Sequence, residues 1–130
     1  MKVVLTKEKI IPFEFENGEN PIKGEFVCDN LKASEQVSLW VAFRAIEGDE
    51  ETKAKKQTEL VISKFSSAIK KINFAEETTF GEEGTENEID PKTALVEYFS
   101  FPFYQIGMKF LTPNFGGSEK DPLELSSKGS

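Results

Sequence analysis

The chain has no histidine and a single cysteine, Cys28, among its 130 residues. The absence of histidine removes the commonest general base, the commonest zinc ligand and the Ser-His and Cys-His nucleophile pairs together. One cysteine excludes an internal disulfide and any cysteine-built zinc site. It falls on the apolar side of a strand pattern, which marks it as a small buried hydrophobe. No apolar run approaches the roughly 20 residues that cross a bilayer, and residues 1–5 lack the apolar stretch of a signal peptide. The expectation is therefore a cytoplasmic protein with no membrane partner, no enzymatic activity, no cofactor and no catalytic metal. A hydrophobic content of 38% at this length supports one core, so residues 1–113 are expected to form a single compact domain.

Bases are scarce where acids concentrate. Residues 75–90 hold Glu76, Glu77, Glu82, Glu83, Glu86, Glu88 and Asp90 with no lysine or arginine, and account for the whole net charge of -7. Net acidity argues against nucleic-acid binding, which needs a basic face to neutralise phosphates. The acidic spacing does not follow the calcium loop pattern, and Gly81 and Gly84 lack the preceding strand and following Gly-Lys-Ser/Thr of a phosphate loop. With almost no apolar periodicity, the segment reads as a mobile, solvated loop.

Periodicity supplies the architecture. Residues 10–16 alternate in their second half, turning Phe13 and Phe15 inward, and Asn17-Gly18 and Asn20-Pro21 supply turn chemistry. Residues 22–28 then place Ile22, Gly24, Phe26 and Cys28 on one side, so the two runs form a β-hairpin. Pro12 cannot donate a ladder hydrogen bond and puts its strand at an edge. Residues 1–5 are expected to add a short third strand. A helix follows, capped by Asn30 or Ser34, with Val37, Trp40, Val41 and Ala45 at helical spacing, Leu39, Phe43 and Ile46 beside them, and Gly48 as its stop. A second helix is expected over residues 51–73, with Val61, Phe65, Ala68, Ile69 and Ile72 on one face and lysines elsewhere.

Asp90-Pro91 caps a third helix, and Pro102 breaks it near Ser100. A last helix over residues 101–111 aligns Phe103, Ile106 and Phe110, and residues 114–130 read as a tail. The fold class is α+β: a β-hairpin of two or three strands packed on three to four α-helices. Residues around a proline break cannot all face one core. Tyr98, Phe101 and Tyr104, with Trp40 and Phe43 on the first helix, are the candidate partner-binding residues.

The order of these pieces resembles the tail assembly chaperone family of long-tailed, siphovirus-like phages. Ile11-Pro12-Phe13-Glu14-Phe15 leads through a hairpin to a helix start near Leu31-Lys32; a second helix, a glycine-containing acidic insert and the Asp90-Pro91-Lys92-Thr93-Ala94-Leu95 start follow. The resemblance covers residues 9–111 and implies a cytoplasmic, non-enzymatic chaperone that binds the phage tape-measure protein, keeps it soluble and recruits tail-tube subunits. It also implies that a longer form made by frameshifting would diverge near residue 114. Self-association into a homo-oligomer is compatible with the same reading. Two other readings of the composition are a structural virion component, such as a connector or tail-completion protein, and an acidic inhibitor that mimics nucleic acid.

Overall fold

The computed structural model describes residues 1–112. Their order is β1 (Glu8–Phe15), β2 (Ile22–Asp29), α1 (Ala33–Arg44), α2 (Glu50–Ala68), β3 (Ile69–Phe74), β4 (Phe80–Gly81), β5 (Glu88–Ile89), α3 (Pro91–Tyr98) and α4 (Ser100–Leu111). The fold is α+β. A three-stranded antiparallel sheet runs in the order β1-β2-β3, and β4 and β5 form a separate two-stranded ribbon.

The described residues divide into two compact units, the first comprising Met1–Asn30 and Ser66–Phe103 and the second Leu31–Phe65 and residues 104–112. Each has its own buried apolar set. The first holds Phe13, Phe15, Phe26, Leu95 and Phe103, the second Leu39, Trp40, Val61, Phe65 and Leu111.

In the first unit, strand alternation turns Phe13, Phe15, Ile22, Phe26 and Cys28 inward, as their spacing predicts. Gly18 takes a left-handed φ of 59° in the β1–β2 connection, which Asn20 N–H closes onto the Asn17 carbonyl at 3.1 Å. Gly24 pairs with Phe13 across the ladder and leaves room for its ring. That ring stacks on Phe15 at 5.0 Å and on Phe26 at 4.4 Å, and meets Phe74 edge-on at 6.0 Å. Through Phe15–Phe99, Phe26–Phe103 and Phe74–Phe80 contacts the cluster takes in seven of the twelve phenylalanines, so the core of this unit is aromatic rather than aliphatic.

The outer face of the sheet carries Ile10, Pro12 and Val27 among charged and polar residues that pair with one another. Lys23 meets Glu14 at 3.7 Å, Asn73 donates to Glu25 at 3.3 Å, and Lys70 bridges Glu8 at 3.2 Å and Asp29 at 3.4 Å. Half-exposed pairs of this kind contribute little stability; they mark a face built for water.

The third strand is β3 and not residues 1–5, which lie in no element; the chain after them is held where Asn30 Nδ2 donates to the Thr6 carbonyl at 2.8 Å and Asn30 N–H to the Lys7 carbonyl at 3.0 Å. Residues 69–73, expected as the end of the second helix, extend instead. Ile69 and Ile72 satisfy a helical face, but Ile72 and Phe74 also satisfy a strand face, and pairing with β2 supplies partners for backbone groups that would otherwise be lost. The register shifts once: Cys28 pairs with Ile69 and Val27 with Lys71, leaving Lys70 as the bulged residue. At this junction Lys92 Nζ donates to the Ser66 carbonyl at 2.7 Å and the Ile69 carbonyl at 3.4 Å, a cation on the open carbonyls where α2 ends.

Asp90 caps α3, accepting from Thr93 N–H at 3.2 Å, with Pro91 at the first helical position. Asp90→Ala is expected to cost about 1 kcal/mol in urea denaturation, and Asp90→Asn much less. α3 ends at Tyr98 and α4 opens at Ser100, so Pro102 sits in a first turn where its missing N–H removes no helix bond.

In the second unit α1 begins after Lys32, whose N–H donates to Glu35 Oε1 at 3.3 Å; neither Asn30 nor Ser34 is its cap. The helix buries Gln36, Leu39 and Trp40 with Phe43 half-buried, whereas Val37 and Val41 are exposed. The buried residues follow the i, i+3, i+4, i+7 spacing of one face, and its polar member, Gln36, shifts that face away from the valines. Asp49 opens α2 by accepting from Thr52 N–H at 2.7 Å. Phe65 packs on Phe110 with ring centroids 5.5 Å apart, and Gln57 Nε2 donates to the Phe43 carbonyl at 3.2 Å. The expected tail, residues 114–130, lies outside the described residues.

Candidate functional site

The acidic segment is placed by its few apolar residues. Phe80 and Ile89 pair across β4 and β5, and the Phe80 ring packs on Phe74 at 5.7 Å. The turn between them closes where Thr85 N–H and Oγ1 both donate to the Glu82 carbonyl, at 3.1 and 3.2 Å. The loop expected here is thus a miniature hairpin pinned to the aromatic core. Its acidic residues Glu82, Glu83, Glu86 and Glu88 are exposed.

Between this hairpin, the β1–β2 connection and the end of α3 lies a cleft of about 610 Å³, within the first unit. Phe80, Ile89, Ala94 and Phe99 give it an apolar lining, while Asn17, Asn20, Thr78 and Thr79 bring polar groups. Tyr98 lines it too and is 62% exposed; Phe101, three residues on, is 65% exposed. Their exposure has a local cause. The break at Phe99 turns that ring to stack on Phe15 at 5.6 Å, and Phe103 is fully buried, which leaves Tyr98 and Phe101 outward.

The other candidate residues lie in the second unit. Trp40 is 2% exposed, with its Nε1 3.5 Å from the Leu111 carbonyl, and packs edge-on against Phe43 at 4.9 Å. It is a core residue and offers no surface. Phe43 and Tyr104 are half-buried. The cleft was not legible in the sequence; the one signal for it was the pair Phe80 and Ile89 on either side of Gly84.

The cleft joins an apolar lining to a polar margin. The described residues contain no group of three or more His, Cys, Asp or Glu side chains able to hold a metal ion. The groups with displaced titration lie elsewhere. The Thr52 backbone N–H holds the Asp49 carboxyl below its usual range, and the Glu8 carboxylate, with Asp29 beside it, raises Lys70. Burial, reinforced by Asp29, pushes the Cys28 thiol from an ordinary 9.0 up to about 11. The folded thiol therefore ionises after the unfolded one, and the stability it supports is complete below pH 9.0 and is lost as pH rises towards about 11. That loss is expected to be about 2–3 kcal/mol in urea denaturation, and absent from the slope of a Cys28→Ala variant.

No protein-family model matches the chain, and comparison with curated proteins and with solved structures returns no match. No described helix is long and apolar enough to cross a membrane.

Proposed function

We propose that the protein is a non-enzymatic phage tail assembly chaperone whose client-binding surface is the cleft beside Tyr98 together with Phe101. The observation that carries this reading is the exposure of two large aromatic side chains, at 62% and 65%, next to an apolar-lined cleft, whereas the other aromatics among the described residues are buried or half-buried. Exposed aromatics beside a concave surface suit an apolar segment of another protein, since tyrosine and phenylalanine bring large contact area with few rotatable bonds. The acidic hairpin at the rim would favour clients that flank apolar residues with lysine or arginine, and the net charge of -7 would keep the complex dispersed.

The client in this reading is the tape-measure protein, with tail-tube subunits recruited around it. Co-expression tests it: the tape-measure protein from the same genome should remain soluble and co-purify with this chain, and precipitate when expressed alone. A chain that instead stays in purified particles and has no effect on tape-measure solubility would be a structural component of the virion.

A further inference from the structure

We propose that the free edge of β3 is a strand-addition site for an extended peptide segment in which acidic and apolar residues alternate. β3 is the last strand of the sheet, and among the described residues no strand pairs with its other side. Ala75 N–H donates to the Lys23 carbonyl at 2.9 Å, one step beyond the Gly24–Phe74 pair and in the same register. Hydrogen-bonded and non-hydrogen-bonded pairs alternate along an antiparallel ladder. Asn73 and Lys71 therefore bond to β2, and Ile72 and Phe74 direct their N–H and C=O groups to the open edge. A groove of about 390 Å³ runs there, between β3 and the Asp90-Pro91-Lys92 start of α3.

The side chains around the groove select the ligand. Ile72 and Phe74 lie on the face of the sheet that carries Phe26, with Pro91 across the groove, while Lys71 lies with Val27 on the opposite, solvated face. An added strand must send alternate side chains to those same two faces. Apolar residues fit against Ile72 and Phe74, and acidic residues fit beside Lys71. Lys70 is engaged by Glu8 and Asp29 and Lys92 by helix carbonyls, whereas Lys71 makes no ion pair among the described residues.

At the opposite edge β1 carries Pro12, which has no N–H to donate to an added strand. A second copy of β3 is the poorer occupant, because it brings Lys70 and Lys71 and no carboxylate to the groove. Backbone pairing would supply affinity and the two faces would supply selectivity, as in other strand-addition sites.

The test is titration of the full chain with an end-capped alternating Glu-Val octapeptide, read by amide NMR and hydrogen exchange. Expected are saturable shifts centred on residues 70–74, slowed exchange of the Ile72 and Phe74 amides, and binding weaker by about tenfold or more for the matching Lys-Val peptide. Lys71→Glu, at an exposed position, should reverse that preference while the β1 and β2 amide signals stay in place. Absence of saturable binding, equal binding of the two peptides, or shifts confined to another surface would overturn the proposal. So would a dimer in sedimentation with Ile72 and Phe74 already protected, since that would give the edge to a second copy.

Discussion

Gly24→Ala is expected to destabilise the first unit by about 3 kcal/mol, a large effect for one methyl group. A Cβ at this position would collide with the Asn73 carbonyl oxygen, lie 2.8 Å from Phe13 Cζ and 3.0 Å from Phe74 Cα. Two of those obstacles are β3 backbone. The third is a buried ring held between Phe15, Phe26 and Phe74. Relief requires separation of β2 from β3 as well as displacement of Phe13, and both disturb the aromatic core. Gly18 is the control: a Cβ there meets nothing within 4 Å, and only its φ of 59° is strained for alanine, at a cost of roughly 1 kcal/mol. Urea denaturation of both variants checks the contrast, and equal losses would mean that β2 and β3 yield easily at Gly24.

The second large effect concerns binding. Tyr98→Ala combined with Phe101→Ala should abolish solubilisation of the client, with a loss of about 2 kcal/mol or more per well-buried interface aromatic. The same change should alter stability little, because both side chains are mostly exposed. Tyr104→Ala is a less informative variant, since Tyr104 is half-buried in the second unit and its loss mixes packing with binding. Neutralising Glu82, Glu83, Glu86 and Glu88 should weaken the complex modestly and flatten its salt dependence, because rim charges act mainly on association rate.

The elements set by local chemistry were legible in the sequence. The β1–β2 hairpin follows from the alternation of residues 13–16 and 22–28 and from Asn17-Gly18, and the start of α3 from Asp90-Pro91. The break before α4 follows from Pro102. What was not legible depended on competition between equally good local readings. Ile69 and Ile72 fit helix and strand alike, and only the availability of β2 decides for β3. α1 is apolar around much of its circumference, so periodicity placed Val37 and Val41 inside, whereas the buried face runs through Gln36. The acidic hairpin was hidden because two apolar residues, Phe80 and Ile89, anchor a segment whose composition otherwise signals a loop.

At the candidate site the proline break implied only that some of Tyr98, Phe101 and Tyr104 face outward; Tyr98 and Phe101 are the exposed ones, and no sequence pattern could bring Tyr98 beside Phe80 and Ile89. Trp40 shows the converse. It stood among the candidate contacts, and its Nε1 lies 3.5 Å from the Leu111 carbonyl inside the second unit.

Hydrogen exchange of the purified complex with the tape-measure protein, compared with the free chain, locates the binding surface directly. The proposed function predicts slowed exchange over residues 76–81 and 97–102, the backbone that forms the cleft and carries Tyr98 and Phe101, with little change on the outer face of the sheet. Protection confined to α1 and its exposed Val37 and Val41, or no protection at all in a stable complex, would contradict it.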